Sequence, residues 1–168
     1  MSATNRWLAG LLVLLVVLAS LGAALVRRTH QDRRDARVVQ ERYGAVLAAA
    51  TAEATAFVNL RYDRAEQTVA AVAAGATGTF RTHYTSASGH VIRVLQRHRS
   101  SMSGRVVWSG VVQLDPAHAT VIAATAGTVS NDRTGGRPVD RSYRLRLSLV
   151  AVGGRWLTSN VQFVGGTS

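Results

Sequence analysis

The stretch from Ser142 to Val164, SYRLRLSLVAVGGRWLTSNVQFV, contains the pattern that decides the fold. Its first half places leucines at positions 145, 147 and 149 and arginines at 144 and 146. A period of two in apolar and polar side chains is typical of a β-strand with one buried face. A second apolar-rich segment follows Gly153 and Gly154, so the stretch predicts two strands joined in a hairpin.

The register of this hairpin follows from the odd-numbered apolar residues on both sides of the glycines. A two-residue loop at Gly153-Gly154 would set Leu147 opposite Asn160 and mix the two faces. A three-residue loop, Gly153-Gly154-Arg155, keeps apolar side chains together and is our prediction. Its pairs are Leu147 with Val161, Leu145 with Phe163, and Arg146 with Gln162. The second face then carries Arg144, Arg146, Trp156, Thr158, Asn160 and Gln162.

This second face is a candidate partner-binding surface. Aromatic and arginine side chains are enriched in the buried centres of protein interfaces, whereas a solvated sheet face has little use for tryptophan. The alternative is that Trp156 folds over the edge of the core and leaves the arginines in water. The predicted binding residues are Arg144, Arg146, Trp156, Asn160 and Gln162.

The amino-terminal region contains a candidate membrane anchor. Trp7 to Val26 is a run of 20 residues without a charge or a proline, enough for a helix to cross about 30 Å of hydrocarbon. We predict an uncleaved anchor at 7–26 after a short cytoplasmic tail at 1–6; a cleavable signal peptide is the alternative. Six arginines between positions 27 and 42 oppose an outside location for the domain. Three acidic residues lie among them, so charge alone leaves the orientation open.

The rest of the chain predicts three helices followed by four strands. The juxtamembrane segment and first helix take 27–60. A capping box at Asp63 and Glu66 starts the second helix, which Gly75 ends, and the third covers 77–98. Strands at Arg105–Leu114 and Ala119–Ser130 precede the quoted hairpin. The prediction is an α+β domain with helices on one face of an antiparallel meander, continuing over 61–164 before a flexible tail at 165–168.

The sequence resembles the actinobacterial Mce-associated membrane proteins, accessory subunits of mammalian-cell-entry lipid-import systems. The resemblance is carried by the anchor, the long following helix, FVNLRYDRAEQTVAAVAAGATGTFRTHY from Phe57 to Tyr84, the SYRLRLSL strand and the closing RWLTSNVQFV. An all-arginine basic complement, 20 residues without a lysine, also fits a GC-rich actinobacterial gene.

The resemblance implies a nuclear-transport-factor-2-like or cystatin-like cone, in which a curved sheet wraps over the helices. It further implies a single-pass plasma-membrane protein with its domain outside the cytoplasm, on the periplasmic side. The expected function is a non-enzymatic accessory or assembly subunit that contacts lipid-import subunits. The alternative is a lipid or sterol carrier, or an enzyme, with its pocket inside the cone.

Few residues are available for catalysis or metal binding. Of the nine acids, three lie in the juxtamembrane stretch and five at helix caps, turns or the start of a strand, which leaves Glu53 on a predicted helix. His83 and His90 share a helical face but lie seven residues apart, wider than the usual ligand spacing. The chain has no cysteine and no nucleotide-binding motif. We therefore expect no catalytic residue, cofactor or metal, and no nucleic-acid partner. The arginine surplus fits solubility and attraction to anionic lipid headgroups.

Overall fold

The computed structural model describes residues 36–165, in which three helices precede four strands. The compact unit described below begins at Tyr43, and the helical residues 36–42 belong to the unit before it. The predicted tail at 1–6 and anchor at 7–26 lie outside the described residues, as does most of the tail at 165–168. Within residues 36–165, no helix combines the length and the apolar character that a membrane span requires.

The helices follow the predicted order. Helix α1 covers residues 36–57, α2 covers Ala65–Gly75 and α3 covers Gly78–Arg97, with a 3-10 helix at Tyr62–Arg64 before α2. The predicted capping box is wrong, because Arg64 occupies the N-cap of α2 and makes no side-chain capping bond. Asp63 instead accepts two hydrogen bonds from the guanidinium of Arg61.

The four strands form one antiparallel sheet in the order β1-β2-β3-β4. Their bounds are Ser101–Leu114 for β1, His118–Ser130 for β2, Val139–Val152 for β3 and Arg155–Phe163 for β4. The α+β meander predicted from the sequence is therefore confirmed. We call the sheet face that packs against α1 the inner face and the opposite one the outer face.

Small side chains hold α1 close to the inner face. Val46, Ala50 and Ala54 recur every four residues along α1 and are completely buried. They pack against two rows of odd-numbered side chains: Ala119, Val121 and Ala123 of β2, and Leu145, Leu147 and Leu149 of β3. Small side chains on a sheet face can leave space for a ligand or let a helix approach closely. At Ala119 and Ala123 the structure has the close helix.

The predicted register of the β3–β4 hairpin is right at its base and wrong at its tip. Val152 pairs with Arg155, so the loop has two residues, and Gly153 and Gly154 adopt φ values of 56° and 77°, as a type I′ turn requires. The register then shifts between Ser148 and Leu149, where Ser159 forms a β-bulge. Beyond the bulge Leu145 faces Phe163, Arg146 faces Gln162, and Leu147 faces Val161, as predicted. The extra residue therefore lies in the strand and not in the loop.

The bulge also reverses which residues of β4 face inward. Before it, the even-numbered Trp156 and Thr158 lie on the inner face; after it, the odd-numbered Val161 and Phe163 do. The Ser159 hydroxyl donates to the Ser148 carbonyl at 3.1 Å and supports the bulge. Thr158, predicted to face outward, is buried, and its carbonyl accepts from the Thr77 amide at 2.8 Å. The link between α2 and α3 is thus tied to β4.

Glu53 is a buried acid on α1. Its side chain is 3% exposed, and Oε1 has no hydrogen-bond partner among the described residues. A Cβ built on Gly75 would lie 1.8 Å from Oε2, so the absence of a side chain there makes room for the carboxyl group. Burial raises the pKa of Glu53 from 4.5 to about 7. The pKa of Tyr84 is also raised, chiefly because its side chain is buried and in addition because the charge of Glu53 lies nearby.

We predict that Glu53 makes stability fall as pH rises. Because its folded-state pKa lies above the ordinary value, its favourable contribution is complete below pH 4.5 and is lost as pH rises through 7. A shift of this size corresponds to about 3 kcal/mol in the free energy of unfolding. Glu53→Gln should remove that dependence. The free energy of unfolding of the variant, relative to that of the wild type, should therefore rise by about this amount from pH 4 to pH 8.

Urea unfolding of the purified full chain, followed by circular dichroism at several pH values, measures this gain. Other titrating groups occur in both proteins and cancel in the difference. The pH-independent cost of burying an amide in place of a carboxylic acid also leaves the slope unchanged. A difference between variant and wild type that stays constant over this pH range would contradict the assignment.

Candidate partner-binding face

Four of the five predicted partner-binding residues lie together on the outer face. Arg144 and Arg146 occupy alternate positions of β3, and both are exposed between the buried leucines. Gln162 pairs with Arg146, and Asn160 pairs with Ser148 on the next outward rung. Because cross-strand neighbours on one face lie about 5 Å apart, these side chains form one polar patch.

The fifth predicted residue, Trp156, is not part of this patch. It pairs with Ala151 and lies on the inner face, half-buried against the main core. The physical reason is the two-residue turn, which places the tip of β4 in the opposite alternation from its base. Leu157, one of the odd-numbered apolar residues after the glycines, faces outward beside Val150 for the same reason. The prediction of Trp156 as an interface anchor on this face is wrong.

A different tryptophan, Trp108 of β1, lies on the outer face. Its side chain is 58% exposed, and it pairs with Ala124, which in turn pairs with Arg144. Bulges at Val107 and Val112 interrupt the alternation of β1, and both valines are also exposed. The alternation in the sequence therefore did not predict which face of the sheet Trp108 occupies, and Trp108 was not among the predicted binding residues.

Gly110 allows the Trp108 indole to lie along the strand. A Cβ at Gly110 would be 2.8 Å from Cη2 and from Cζ2 of the indole, so any side chain there would require the indole to move. Gly110 occupies the next outward rung, on which it pairs with Ile122, and Ile122 pairs with Arg146. The sequence signal was a glycine two positions after a tryptophan in a strand, since glycine there often marks a close approach.

A groove of about 490 Å³ opens beside Arg144, and Trp108 is not among its lining residues. Its lining comes from all four strands and from the segment after β4: Val107, Ala124, Thr125, Ala126, Ser142, Tyr143, Arg144, Phe163, Val164 and Gly165. Of the members from β2 and β3, the even-numbered Ala124, Ala126, Ser142 and Arg144 belong to the outer face, and the odd-numbered Thr125 and Tyr143 belong to the inner face. The groove offers apolar contact and a positive charge within one site.

The arginines of this face have no acidic partner among residues 36–165. The ion pairs in that range are Arg61 with Asp63 and His118 with Asp115, and both are local. The Arg61 guanidinium lowers the pKa of Asp63, and backbone amides of Ala117 and His118 lower the pKa of Asp115. The charges of Arg144 and Arg146 are therefore not neutralised by nearby acids of the described domain.

The residues weighed for catalysis or metal binding do not assemble into one site. His83 and His90 are exposed on α3, whereas Glu53 is buried on α1. In the described part of the chain, no three histidine, aspartate or glutamate side chains come close enough to hold a metal ion.

Solved structures share the fold. The periplasmic domain of DotI aligns with a TM-score of 0.60 and 12% identity over 73% of this chain and 95% of its own. An IcmL-like type IV secretion system protein from Legionella pneumophila gives 0.56 and 14%, over 70% and 88%. A ketosteroid isomerase-like protein from Erwinia carotovora atroseptica gives 0.54 and 24%, over 75% and 98%. At these identities the likeness establishes the fold alone.

One relative is detected by sequence. It is the uncharacterized protein Rv1363c of Mycobacterium tuberculosis, 26% identical over 125 residues, which are 74% of this chain and 48% of the relative. This chain therefore spans about half the length of that protein. The model of the family described as uncharacterized protein Rv1363c/MT1408-like matches residues 5–165. The chain belongs to the Rv1363c/MT1408-like family, in which an actinobacterial protein is its detected relative.

Proposed function

We propose that this protein is a non-enzymatic assembly subunit of a cell-envelope complex, which binds a partner subunit through the outer face of its sheet. One observation carries the proposal: Arg144 and Arg146 are exposed side by side, without an acidic neighbour, on the same face as the exposed Trp108. Unpaired arginines beside an exposed aromatic side chain are the composition of an interface centre.

The envelope location rests on two further observations. Trp7 to Val26 has the length and composition of a membrane span, and two proteins of the same fold are described as a periplasmic domain and as a type IV secretion system protein. We propose a single-pass plasma-membrane protein whose domain lies outside the cytoplasm. In the finer form of the proposal, the complex is a mammalian-cell-entry lipid-import system, and anionic headgroups attract the membrane-proximal arginines.

The proposed topology predicts the behaviour of reporter fusions. Alkaline phosphatase fused after Ser168 should be active in cells, because it folds only in an oxidising compartment, and green fluorescent protein at the same position should remain dark. Inactive phosphatase together with a fluorescent fusion would place the domain in the cytoplasm. Mass spectrometry of the purified chain, with or without residues 1–26, separates an anchor from a cleaved signal peptide.

The docking proposal predicts that reversing two charges removes the partner. Arg144→Glu with Arg146→Glu should abolish co-purification of partner subunits from cells, because an acidic partner surface would then meet like charge. The melting temperature should barely change, since exposed strand positions tolerate substitution within about 0.5 kcal/mol. Affinity purification with quantitative mass spectrometry measures the first effect and thermal denaturation the second.

A matched control is the charge reversal of Arg93 and Arg97, which are exposed on α3. Arg93→Glu with Arg97→Glu makes the same change in net charge and should leave the partner bound. Equal loss of partner from both double variants would indicate a general charge effect and remove the interface from the outer face. Retention of the partner by Arg144→Glu with Arg146→Glu would do the same.

A carrier or enzyme is the second candidate function, and Glu53 favours it. A buried carboxyl group with a pKa of about 7 has the property of a general base, and one protein of the same fold is ketosteroid isomerase-like. Against this reading, the cavity between Val58, which follows α1, and the sheet residues Met102 and Thr125 is only about 10 Å³, and Glu53 does not line it. A site of that size holds no lipid or sterol.

The assembly reading predicts that titratable side chains are dispensable for function. Glu53→Gln, His83→Ala and His90→Ala should each restore growth or transport in a deletion strain to the wild-type level, with protein abundance checked by immunoblot. Glu53→Asp is a further control, since it keeps an acid but shortens it. Loss of function in Glu53→Gln at unchanged abundance, with retention in the histidine variants, would favour the enzyme.

A further inference from the structure

The spacing of the two arginines on the outer face matches an extended peptide. Arg144 and Arg146 are two residues apart on one strand, so their Cα atoms lie about 7 Å apart. Side chains at alternate positions of any extended segment have the same spacing and point to the same side. Two carboxylates placed two residues apart on such a segment can therefore meet both arginines, whereas one headgroup or fatty-acid carboxylate can meet one.

Trp108 lies on the same face as Arg144, across β2 from it. The rung Trp108–Ala124–Arg144 crosses three strands, which places the backbones of Trp108 and Arg144 about 10 Å apart. Between them the floor is made of small side chains, Ala124 and Ala126, beside the groove of about 490 Å³. A gap of this width, with an apolar wall on one side and positive charge on the other, accommodates one extended chain.

A second copy of this chain fits the site poorly. The strands of the sheet contain five arginines, at positions 105, 141, 144, 146 and 155, and one acid, Asp140. Two such faces in contact would set like charges against each other at the centre of the interface. Charge complementarity selects an acidic occupant.

From this geometry we propose that the outer face between Trp108 and Arg144, together with the groove beside Arg144, binds an extended acidic segment of the partner, with carboxylates at alternate positions and an aliphatic side chain that contacts the indole. The carboxylates pair with Arg144 and Arg146, and the aliphatic side chain contacts Val107 and Trp108. The absence of a side chain at Gly110 lets the indole lie along β1. This inference rests on the proposed function and names the partner chemistry of the same face.

A labelled peptide tests the proposal directly. The probe is fluorescein-labelled Gly-Ser-Glu-Ser-Glu-Ser-Leu-Ser-Gly, titrated with the full chain in phosphatidylcholine nanodiscs and followed by fluorescence anisotropy. Binding should be saturable and should weaken with salt. A peptide with lysines in place of the glutamates should not bind. A peptide with the two glutamates adjacent should bind more weakly, because adjacent side chains of an extended segment point to opposite sides.

Variants of the protein test the contribution of Trp108 separately from that of the two arginines. Trp108→Ala should weaken binding about tenfold, as loss of an interface anchor does, and Trp108→Phe should retain most of it. Arg144→Glu with Arg146→Glu should abolish binding, and Arg93→Glu with Arg97→Glu should not. No saturable binding by the wild type, equal affinity for the lysine peptide, or full affinity of Trp108→Ala would overturn the proposal.

Two outcomes distinguish this inference from the proposed function. If the arginine variant loses its partner in cells while Trp108→Ala retains it and binds the peptide normally, the outer face is the interface but the groove is not its acidic-segment site. If both variants retain the partner, the proposed function fails as well. Concentration-dependent dimers in sedimentation experiments, lost in Trp108→Ala, would make a second copy the occupant and overturn the acidic segment.

Discussion

The close contact between α1 and the inner face of the sheet is the constraint on which the domain depends. Alanines at positions 50, 54, 119 and 123 meet at this contact and are almost completely buried. Side chains that small let the helix approach the sheet, and a larger residue at any of them would have to displace backbone or neighbours, since interiors are close-packed. The contact fixes which alternate residues of β2 and β3 are core, and the remaining alternate residues therefore form the exposed outer face.

Protein interiors of this kind leave little freedom for an unpaired charge, which makes Glu53 unusual. Its carboxyl group is accommodated by a missing side chain at Gly75 and not by a hydrogen bond to Oε1. A buried carboxyl group without a partner is more stable protonated than ionised, because burial of the charge costs free energy. The raised pKa of Glu53 reflects this preference. The same helix thus combines the most regular packing of the domain with a group that opposes folding once it is ionised.

Regular periodicity made part of this structure predictable from sequence. The order of the helices followed from apolar residues that recur about every four positions, and the faces of β3 followed from apolar residues that recur every two. An unbroken repeat of this kind predicts for each position whether it is buried or exposed. The faces of β1 and β4 did not follow. Val107, Val112 and Ser159 each form a bulge that shifts the alternation by one, and the bulging residue is determined by pairing with the neighbouring strand. Hence Arg144, Arg146, Asn160 and Gln162 were placed correctly, while Trp156 was misplaced and Trp108 missed.

The bulge at Ser159 has a consequence for how this family varies. It divides β4 into two short stretches that obey opposite rules of burial, the even positions inward before it and the odd positions inward after it. A polar substitution that is tolerated at odd positions before Ser159 would be excluded at odd positions after it, because those positions face the core. An aligned set of relatives should therefore reveal the bulge as a change of phase in hydrophobic variation, and deletion of Ser159 would join the two stretches into one regular alternation in which Asn160 and Val161 keep their faces.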